Sequence, residues 1–362
     1  MLVGMKQVLK IAAFLFLAIR GIAQTSTPKA VSEIDLRPLG MKVPGSGNVS
    51  NLGMEVVFLS DDRLLVLSFQ DLFGLPKTGR LTVFDLGHGS VRSAREIDVN
   101  EWGMQNSFSI GERAAIQCIG ENRFAIANRD GVQYCDDNLR CGPGPQVPGR
   151  FRFSPDGKRF VAGPRLPPNG LRWAEFDQSG NTLATYDEDP YEEFLRSNSG
   201  AFFSRAEGTR YYADGQTKPL LLKGCKMADL LGLVDDHGVL CLIGEKHKAV
   251  VVDVDGATRY QLDLEGLPWN PDFVRSADGT KFGVEWKFNT KMQLLNPLAC
   301  IDECPEAGGQ RFVIYSGLTG KQLTSFEWDP RPNNLYVVPA LSPTGRRAAF
   351  VNKDRLLVYA LE

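Results

Sequence analysis

The chain has 362 residues, of which 43% are apolar and 23% are charged, and its formal net charge is -2. This composition excludes a disordered tail protein, which combines low hydrophobicity with a high net charge, and it disfavours a nucleic-acid-binding protein, which normally carries a basic surplus. Glycine and proline, with 37 and 21 residues, exceed their usual share, which favours many turns and many short strands.

The first 23 residues have the three-part pattern of a secretory signal peptide. Lys6 and Lys10 form a basic start, an apolar run follows, and Gly21 and Ala23 put small residues before a cleavage point at Gln24. The apolar run from 11 to 19 is too short to span a bilayer, which takes about 20 residues. A short buried helix is the alternative interpretation. We expect a cleaved signal peptide over 1–23, no transmembrane segment after cleavage, a single domain over 24–362, and a secreted or periplasmic protein.

One short pattern recurs along the chain: an apolar strand, a tight polar turn and a second apolar strand. It is clearest at Ser154–Gly157, Ser276–Gly279 and Ser342–Gly345. Proline presets the backbone for a turn, aspartate bonds its own backbone nearby and glycine accepts a positive φ, so these turns with their apolar flanks predict β-hairpins. Four weaker copies have their turns at Asp62, Asn122, Gly208 and Gly238.

The spacing of these turns indicates a repeat architecture. The 283 residues from Asp62 to Gly345 contain six intervals, or about 47 residues per repeat. Propeller blades have about 40–50 residues and four strands each. Several copies are followed by a second hairpin, as at 171–177 and 181–186. The sequence therefore predicts an all-β, seven-bladed β-propeller.

The turns also resemble a known type of repeat. The FSPDGK and SADGTK turns, each followed by a further strand and a glycine-containing turn, are similar to WD40-like β-propeller repeats of the PD40 type. The resemblance covers about residues 32–362. It departs from true WD40 repeats, because no Gly-His pair and no Trp-Asp end mark the copies, and the Trp328-Asp329 pair follows a fourth strand. The resemblance implies the propeller fold and no particular activity, since this fold serves many functions.

The two ends of the chain suggest how the ring closes. The last copy has only three strands before the chain stops, whereas the segment 31–38 near the start resembles a fourth strand. We expect this segment to pair as the outer strand of the last blade, because closure removes an exposed sheet edge. A linker after the signal peptide is the alternative.

Seven cysteines fit an oxidising compartment, where disulfides persist. Cys135 and Cys141 flank one short polar loop and Cys300 and Cys304 flank another, so each pair is expected to form a disulfide. The pairing of Cys118, Cys225 and Cys241 stays open: Cys225 with Cys241 is the weaker possibility, and Cys118 fits a buried free thiol. Zinc is disfavoured, because the spacing of paired cysteines or interleaved histidines that it requires does not occur.

The longest connectors are the place to look for binding residues. In a four-stranded blade, the second-to-third and fourth-to-next-first connectors lie on one face, and binding residues concentrate on such loops. Aromatic side chains there supply rigid apolar area with a polar group. Packing between blades is the alternative role for such large residues. The candidate ligand-binding residues in or beside these connectors are Trp102, Asp189, Tyr191, Trp269, Trp328 and Arg331.

No arrangement of residues predicts a cofactor, a metal site or a nucleophilic enzyme, because the three histidines share no spacing and no nucleophile elbow or phosphate loop occurs. The sequence favours an exported, non-catalytic propeller that binds a protein, small-molecule or glycan ligand and no nucleic acid. One alternative is a subunit of an envelope assembly. The other is a secreted hydrolase or lyase that acts on a glycan through paired carboxylates; its candidates are Asp187, Glu188, Asp189, Glu192 and Glu193.

Overall fold

The computed structural model of the chain describes most of the predicted strands and turns. The described residues are 28–39, 54–69, 78–98, 116–120, 122–128, 131–147, 150–163, 172–188, 194–205, 207–216, 218–223, 225, 230–243, 248–263, 273–289, 307–328, 338–352 and 354–362. The predicted signal peptide lies outside them.

The first thirteen strands and a short 3-10 helix at Arg37–Leu39 occupy the first half of the chain. The strands are β1 Ala30–Asp35, β2 Met54–Ser60, β3 Arg63–Phe69, β4 Thr78–Asp85, β5 Ser90–Asp98, β6 Ile116–Cys118, β7 Arg123–Asn128, β8 Gly131–Asp136, β9 Cys141–Pro143, β10 Arg150–Phe153, β11 Arg159–Gly163, β12 Trp173–Asp177 and β13 Thr182–Tyr186.

The second half of the chain continues as strands alone within the described residues. They are β14 Phe194–Arg196, β15 Gly200–Arg205, β16 Gly208–Ala213, β17 Leu220–Leu222, β18 Leu230–Leu233, β19 Gly238–Ile243, β20 Lys248–Asp253, β21 Thr258–Asp263, β22 Phe273–Arg275, β23 Lys281–Asn289, β24 Ala307–Ser316, β25 Gln322–Trp328, β26 Val338–Leu341, β27 Arg347–Asn352 and β28 Arg355–Ala360.

These strands form seven antiparallel sheets of four strands each, so the predicted seven-bladed propeller is confirmed. Blades 1 to 6 take their strands in chain order, starting with β2–β5 and ending with β22–β25. The first strands of neighbouring blades contact one another, as β2 does with both β6 and β26. The first strand of each blade is therefore the innermost, and the fourth lies at the outer edge.

The seventh blade combines the two ends of the chain in the order β1-β28-β27-β26. β1 pairs antiparallel with β28, and Glu33 lies opposite Leu357. The side chain of Glu33 also pairs with Arg355, and the Leu36 amide donates to the carbonyl of Asp354 at 2.8 Å. Leu36 itself is fully buried, so the amino-terminal segment adds apolar packing as well as strand pairing.

The core of the molecule is divided among the interfaces between adjacent blades, which we call seams. Side chains alternate between the two faces of a strand. In blade 1, Leu65 accordingly shares an apolar cluster with Ile126 of blade 2, whereas Leu64 shares one with Val358 of blade 7. Each of the seven apolar clusters of the described residues lies in one seam. Packing between sheets therefore holds the ring together.

The serine that opens the clearest turns explains the recurring motif. The backbone amide of Arg159 donates to the Ser154 hydroxyl at 3.2 Å, and that hydroxyl donates to the Arg159 carbonyl and the Asp156 carboxylate. Ser276 makes the same pair of backbone bonds five residues ahead. Gly157 has a φ of 69°, which glycine adopts without steric cost. The motif thus forms a self-contained turn between the first and second strands.

The position of one repeat turn within its blade was predicted wrongly. The turn at Gly208 joins β15 to β16, the second and third strands of blade 4, instead of the first and second. The first turn of this blade follows Arg196, where Ser197 and Gly200 pair backbone to backbone at 2.9 Å. An acidic residue followed by glycine makes a tight turn in either position, so the local pattern did not distinguish the two hairpins.

Two disulfides lie in the described part of the chain. Cys135 is bonded to Cys141 across β8 and β9. Cys225, which follows blade 4, is bonded to Cys241 in the second strand of blade 5. Cys118 is free and partly exposed, and the predicted Cys300–Cys304 pair lies outside the described residues. No helix in this part of the chain has the length and apolar character needed to cross a bilayer.

Candidate functional site

The propeller has two faces of different construction. The connector face holds the links from second to third strands and from fourth strands to the next blade. The turn face holds the turns that join first to second strands and third to fourth strands, such as Ser154–Gly157 and Asp177–Gly180. Because antiparallel strands reverse at each turn, alternate links fall on opposite faces. The predicted ligand-binding residues belong to the connector face.

Most of that predicted set falls outside the described residues. Trp102, Asp189, Tyr191, Trp269 and Arg331 do so. Trp328 ends β25, the outer strand of blade 6, and its backbone pairs with that of Gln310. The predicted binding set therefore stays a prediction.

The described part of the acidic run lies at the seam between blades 3 and 4. Glu188 follows the outer strand β13, and its side chain is buried. One carboxylate oxygen accepts a hydrogen bond of 2.5 Å from the Tyr212 hydroxyl of blade 4 and lies 3.5 Å from Arg210. Burial, and then this hydrogen bond, raise the pKa of Tyr212 to about 12. Glu188 thus joins two blades at their outer part.

A second charged cluster occupies the same seam. We call it the ionic ring, and its members are Arg159, Glu175, Arg196 and Asp214. Arg196 Nη2 lies 2.7 Å from both Glu175 Oε1 and Asp214 Oδ1. Arg159 Nη1 lies 2.8 Å from Asp214 Oδ2 and 3.4 Å from Glu175 Oε1. Positive and negative groups therefore alternate around the ring.

The strands explain why these charges meet. On β14, Phe194 and Arg196 point to the same side, towards blade 3, because they are two residues apart. The Phe194 ring lies 4.1 Å from that of Trp173 in the seam. Arg196 then enters the end of the seam nearest the turn face, where β12 presents Glu175 and the turn after β16 presents Asp214. The side chain of Arg196 is 0% exposed and that of Glu175 is 3% exposed.

The hydrogen bonds of Glu175 define what this cluster does chemically. Its Oε1 atom accepts from Arg196 and Arg159, and its Oε2 atom accepts from the Tyr186 hydroxyl at 2.5 Å. Burial, then this hydrogen bond and the charge of Glu175, raise the pKa of Tyr186. A carboxylate with both oxygens occupied by donors acts as a structural acceptor. The ionic ring therefore joins blades 3 and 4 and offers no free base.

The turn face is tied together from one blade to the next. The Asp156 amide of blade 3 donates to the Asn198 side chain of blade 4 at 2.9 Å, and the Asn198 amide donates to Asp236 of blade 5 at 3.1 Å. Likewise, the Thr344 hydroxyl of blade 7 donates to Asp61 of blade 1 at 2.6 Å. Hydrogen bonds thus join the inner turns of blades 3, 4 and 5 and those of blades 7 and 1.

Blade 5 carries another charge cluster of the turn face. Arg259 pairs with both Asp235 and Asp253. The hydrogen bond that Arg259 donates to Asp235 raises the pKa of Arg259. Burial opposes ionisation of Asp235, but the bonds from Arg259 and the His237 amide outweigh it and lower the pKa of this carboxyl. Both carboxylates are neutralised locally, and no cluster of potential metal ligands occurs in the described residues.

Sequence reasoning did not identify the ionic ring. Its signal was a charged residue inside an otherwise apolar strand, as Glu175 is in Trp-Ala-Glu-Phe and Arg196 is in Phe-Leu-Arg. A buried charge needs a partner, so two such strands in neighbouring repeats indicate a pair. The segment 171–177, which contains Glu175, was instead interpreted only as part of a hairpin.

No family model matches the chain, and no curated protein matches it. Among solved structures, it is similar to a chain of the crystal structure of the mitotic checkpoint complex, with a TM-score of 0.51 and 12% identity over 94% of this chain and 96% of that one. The crystal structure of the C-terminal WD40 domain of Sif2 gives a TM-score of 0.47 and 9% identity, over 93% of this chain and 99% of that one. The first likeness, at 12% identity, supports the fold alone.

Proposed function

We propose that this protein is an exported, non-catalytic β-propeller that binds a protein, small-molecule or glycan ligand through its connector face. The single observation that carries the proposal is the construction of the ring. Seven sheets are packed seam to seam and closed by β1 on β28. Such a ring holds connectors from all blades at one face, and rigid scaffolds that present loops in this way are suited to binding.

Export is supported by two independent features. The first 23 residues have the pattern of a signal peptide. The Cys225–Cys241 disulfide joins blade 4 to blade 5, and both cysteines are fully buried. Structural disulfides of this kind persist in oxidising compartments and are rare in the cytosol.

A non-catalytic role is supported by the contacts of two described carboxylates. Glu175 and Glu188, the buried acids of the blade 3–4 seam, each accept a short hydrogen bond from a tyrosine and lie near an arginine. Acid–base catalysis needs a carboxyl group that can reach a substrate. These two groups face across a seam and are used there to join blades.

The proposal is tested with the mature chain, residues 24–362, as bait against extracts and glycan arrays. Trp102→Ala, Trp269→Ala and Trp328→Ala remove the predicted aromatic contacts, and we expect one or more to weaken binding at least tenfold. The matched control is His88→Ala, because the His88 side chain is 82% exposed and lies on the turn face. Two results would contradict the proposal: equal losses for His88→Ala and the tryptophan variants, or glycan turnover abolished by a single carboxylate substitution.

A further inference from the structure

The turn between β8 and β9 has the same hydrogen bonds as a turn in blade 3. The Asp136 amide donates to the Arg140 carbonyl at 3.1 Å, and the Leu139 amide donates to the Asp136 carbonyl at 3.0 Å. In blade 3, Asp177 pairs with Asn181 and Gly180 at the same distances of 3.1 and 3.0 Å. In both turns, the first aspartate also accepts two backbone amides at 2.9 Å.

The two turns differ at the residue with positive φ. Gly180 has a φ of 87°, and Gly256, at the matching place in blade 5, has 86°. Blade 2 has Leu139 there, with a φ of 60°. This left-handed conformation costs a residue with a side chain about 1–2 kcal/mol. The structure around Leu139 must therefore hold it in place.

Leu139 is held as a plug in the seam between blades 1 and 2. Its side chain is 5% exposed and belongs to the apolar cluster of that seam. The outer strand of blade 1, β5, also binds this turn. The Ser93 hydroxyl donates to the Asp137 carbonyl at 2.8 Å, and Arg92 lies 2.9 Å from the Asp137 carboxylate. The turn of one blade thus anchors the outer strand of its neighbour.

The Cys135–Cys141 disulfide closes the base of this turn. The two cysteines lie directly opposite each other on β8 and β9. β9 is an edge strand of three residues, and Cys141 is partly exposed on it, whereas Cys135 is buried in the seam. The Cys225–Cys241 bond is different, because both of its cysteines are fully buried. Exposed disulfides are the ones that reductants reach in a folded protein.

We propose that the Cys135–Cys141 disulfide is a redox-sensitive clasp that keeps Leu139 in the seam between blades 1 and 2. A dithiol reductant transfers two electrons and two protons to this bond, which becomes two thiols while the reductant becomes a cyclic disulfide. Without the covalent closure, Leu139 leaves its left-handed conformation, and the turn withdraws from β5. The buried Cys225–Cys241 bond stays oxidised and keeps blades 4 and 5 joined.

The test treats the folded, full chain with dithiothreitol and follows thiol labelling and amide hydrogen exchange by mass spectrometry. We expect Cys135 and Cys141 to be labelled before Cys225 and Cys241. Exchange in 136–140 should then accelerate roughly tenfold or more, which corresponds to a local loss of about 1.4 kcal/mol or more. The turn at 177–181 is the internal control, because it has the same hydrogen bonds and no disulfide, and its exchange should not change.

Leu139→Gly is the matched variant. It supplies the residue that blades 3 and 5 have at this place and removes the plug, so reduction should no longer change exchange in β5. Two results would overturn the proposal. One is reduction of Cys225–Cys241 at the same rate as Cys135–Cys141, or no reduction of either in the folded chain. The other is reduction of Cys135–Cys141 with unchanged exchange in 136–140 and β5.

Discussion

Arg196→Met removes the central cation of the ionic ring and should be among the most destabilising single changes in the chain. Arg196 is fully buried and bonds both Glu175 and Asp214. Removing one partner of a buried ion pair leaves an uncompensated charge and costs about 3–5 kcal/mol. Arg159 lies at the edge of the same ring with a side chain 41% exposed. Exposed ion pairs contribute about 0–1 kcal/mol, so Arg159→Met should cost far less.

The assay is urea unfolding followed by tryptophan fluorescence, with the free energy of unfolding taken from the midpoint and slope. A triple variant, Arg196→Met with Glu175→Leu and Tyr186→Phe, also removes the buried carboxylate and the hydroxyl that bonds it. It tests whether the loss in Arg196→Met comes from the unpaired charge of Glu175. Apolar residues of similar volume can replace a buried ion pair with little loss of stability. The triple variant should therefore recover most of the stability that Arg196→Met loses. The reasoning is refuted if Arg196→Met and Arg159→Met cost the same, or if the triple variant is less stable than Arg196→Met.

Three other changes test the packing of the ring by the same unfolding assay. Burial raises the pKa of Tyr212 to about 12. Above pH 10 this tyrosine ionises in the unfolded chain but not yet in the folded one, so the free energy of unfolding should fall between pH 10 and 12. The fall should be smaller in Tyr212→Phe. Gly157→Ala should lower the free energy of unfolding more than Gly256→Ala. Both glycines have positive φ, but only the Cβ at 157 would meet a backbone atom, the Ile119 carbonyl oxygen at 2.4 Å. Equal losses would contradict a tight contact between blades 2 and 3. Leu36→Ala should cost about 2–5 kcal/mol of stability, because the leucine is buried. Glu33→Gln should cost less than about 1 kcal/mol, because Glu33 belongs to an exposed ion pair. A loss for Glu33→Gln as large as that for Leu36→Ala would contradict the view that packing holds β1.

The repeat number and the strand order were predictable because they depend on local signals. The turns at Gly157, Gly279 and Gly345 share a serine whose amide donates to the carbonyl five residues ahead, and a glycine with positive φ. The pairing of the amino-terminal segment was predictable from a missing strand. These features need only the alternation of side chains and the requirement that a sheet edge be covered.

The features that sequence reasoning missed depend on contacts between blades. Arg196 and Glu175 are 21 residues apart and meet only because their sheets pack face to face. Leu139 occupies a glycine position for a reason that lies in blade 1. The turn at Gly208 was assigned to the wrong hairpin, because the first turn of blade 4, Ser197-Asn-Ser-Gly200, lacks the proline or aspartate found in the first turns of blades 1, 3, 5, 6 and 7. Local patterns carry no information about which blade face a charged residue will meet.

The central claim, that a single chain closes its own ring, is tested most directly by one engineered cross-link. Glu33 and Leu357 are opposite residues of β1 and β28, so Glu33→Cys with Leu357→Cys, in a chain that also carries Cys118→Ala, should form a disulfide on oxidation. The account predicts a bond within one chain, found by peptide mapping of the monomer after non-reducing electrophoresis. No bond, or a bond only between two chains, would contradict it.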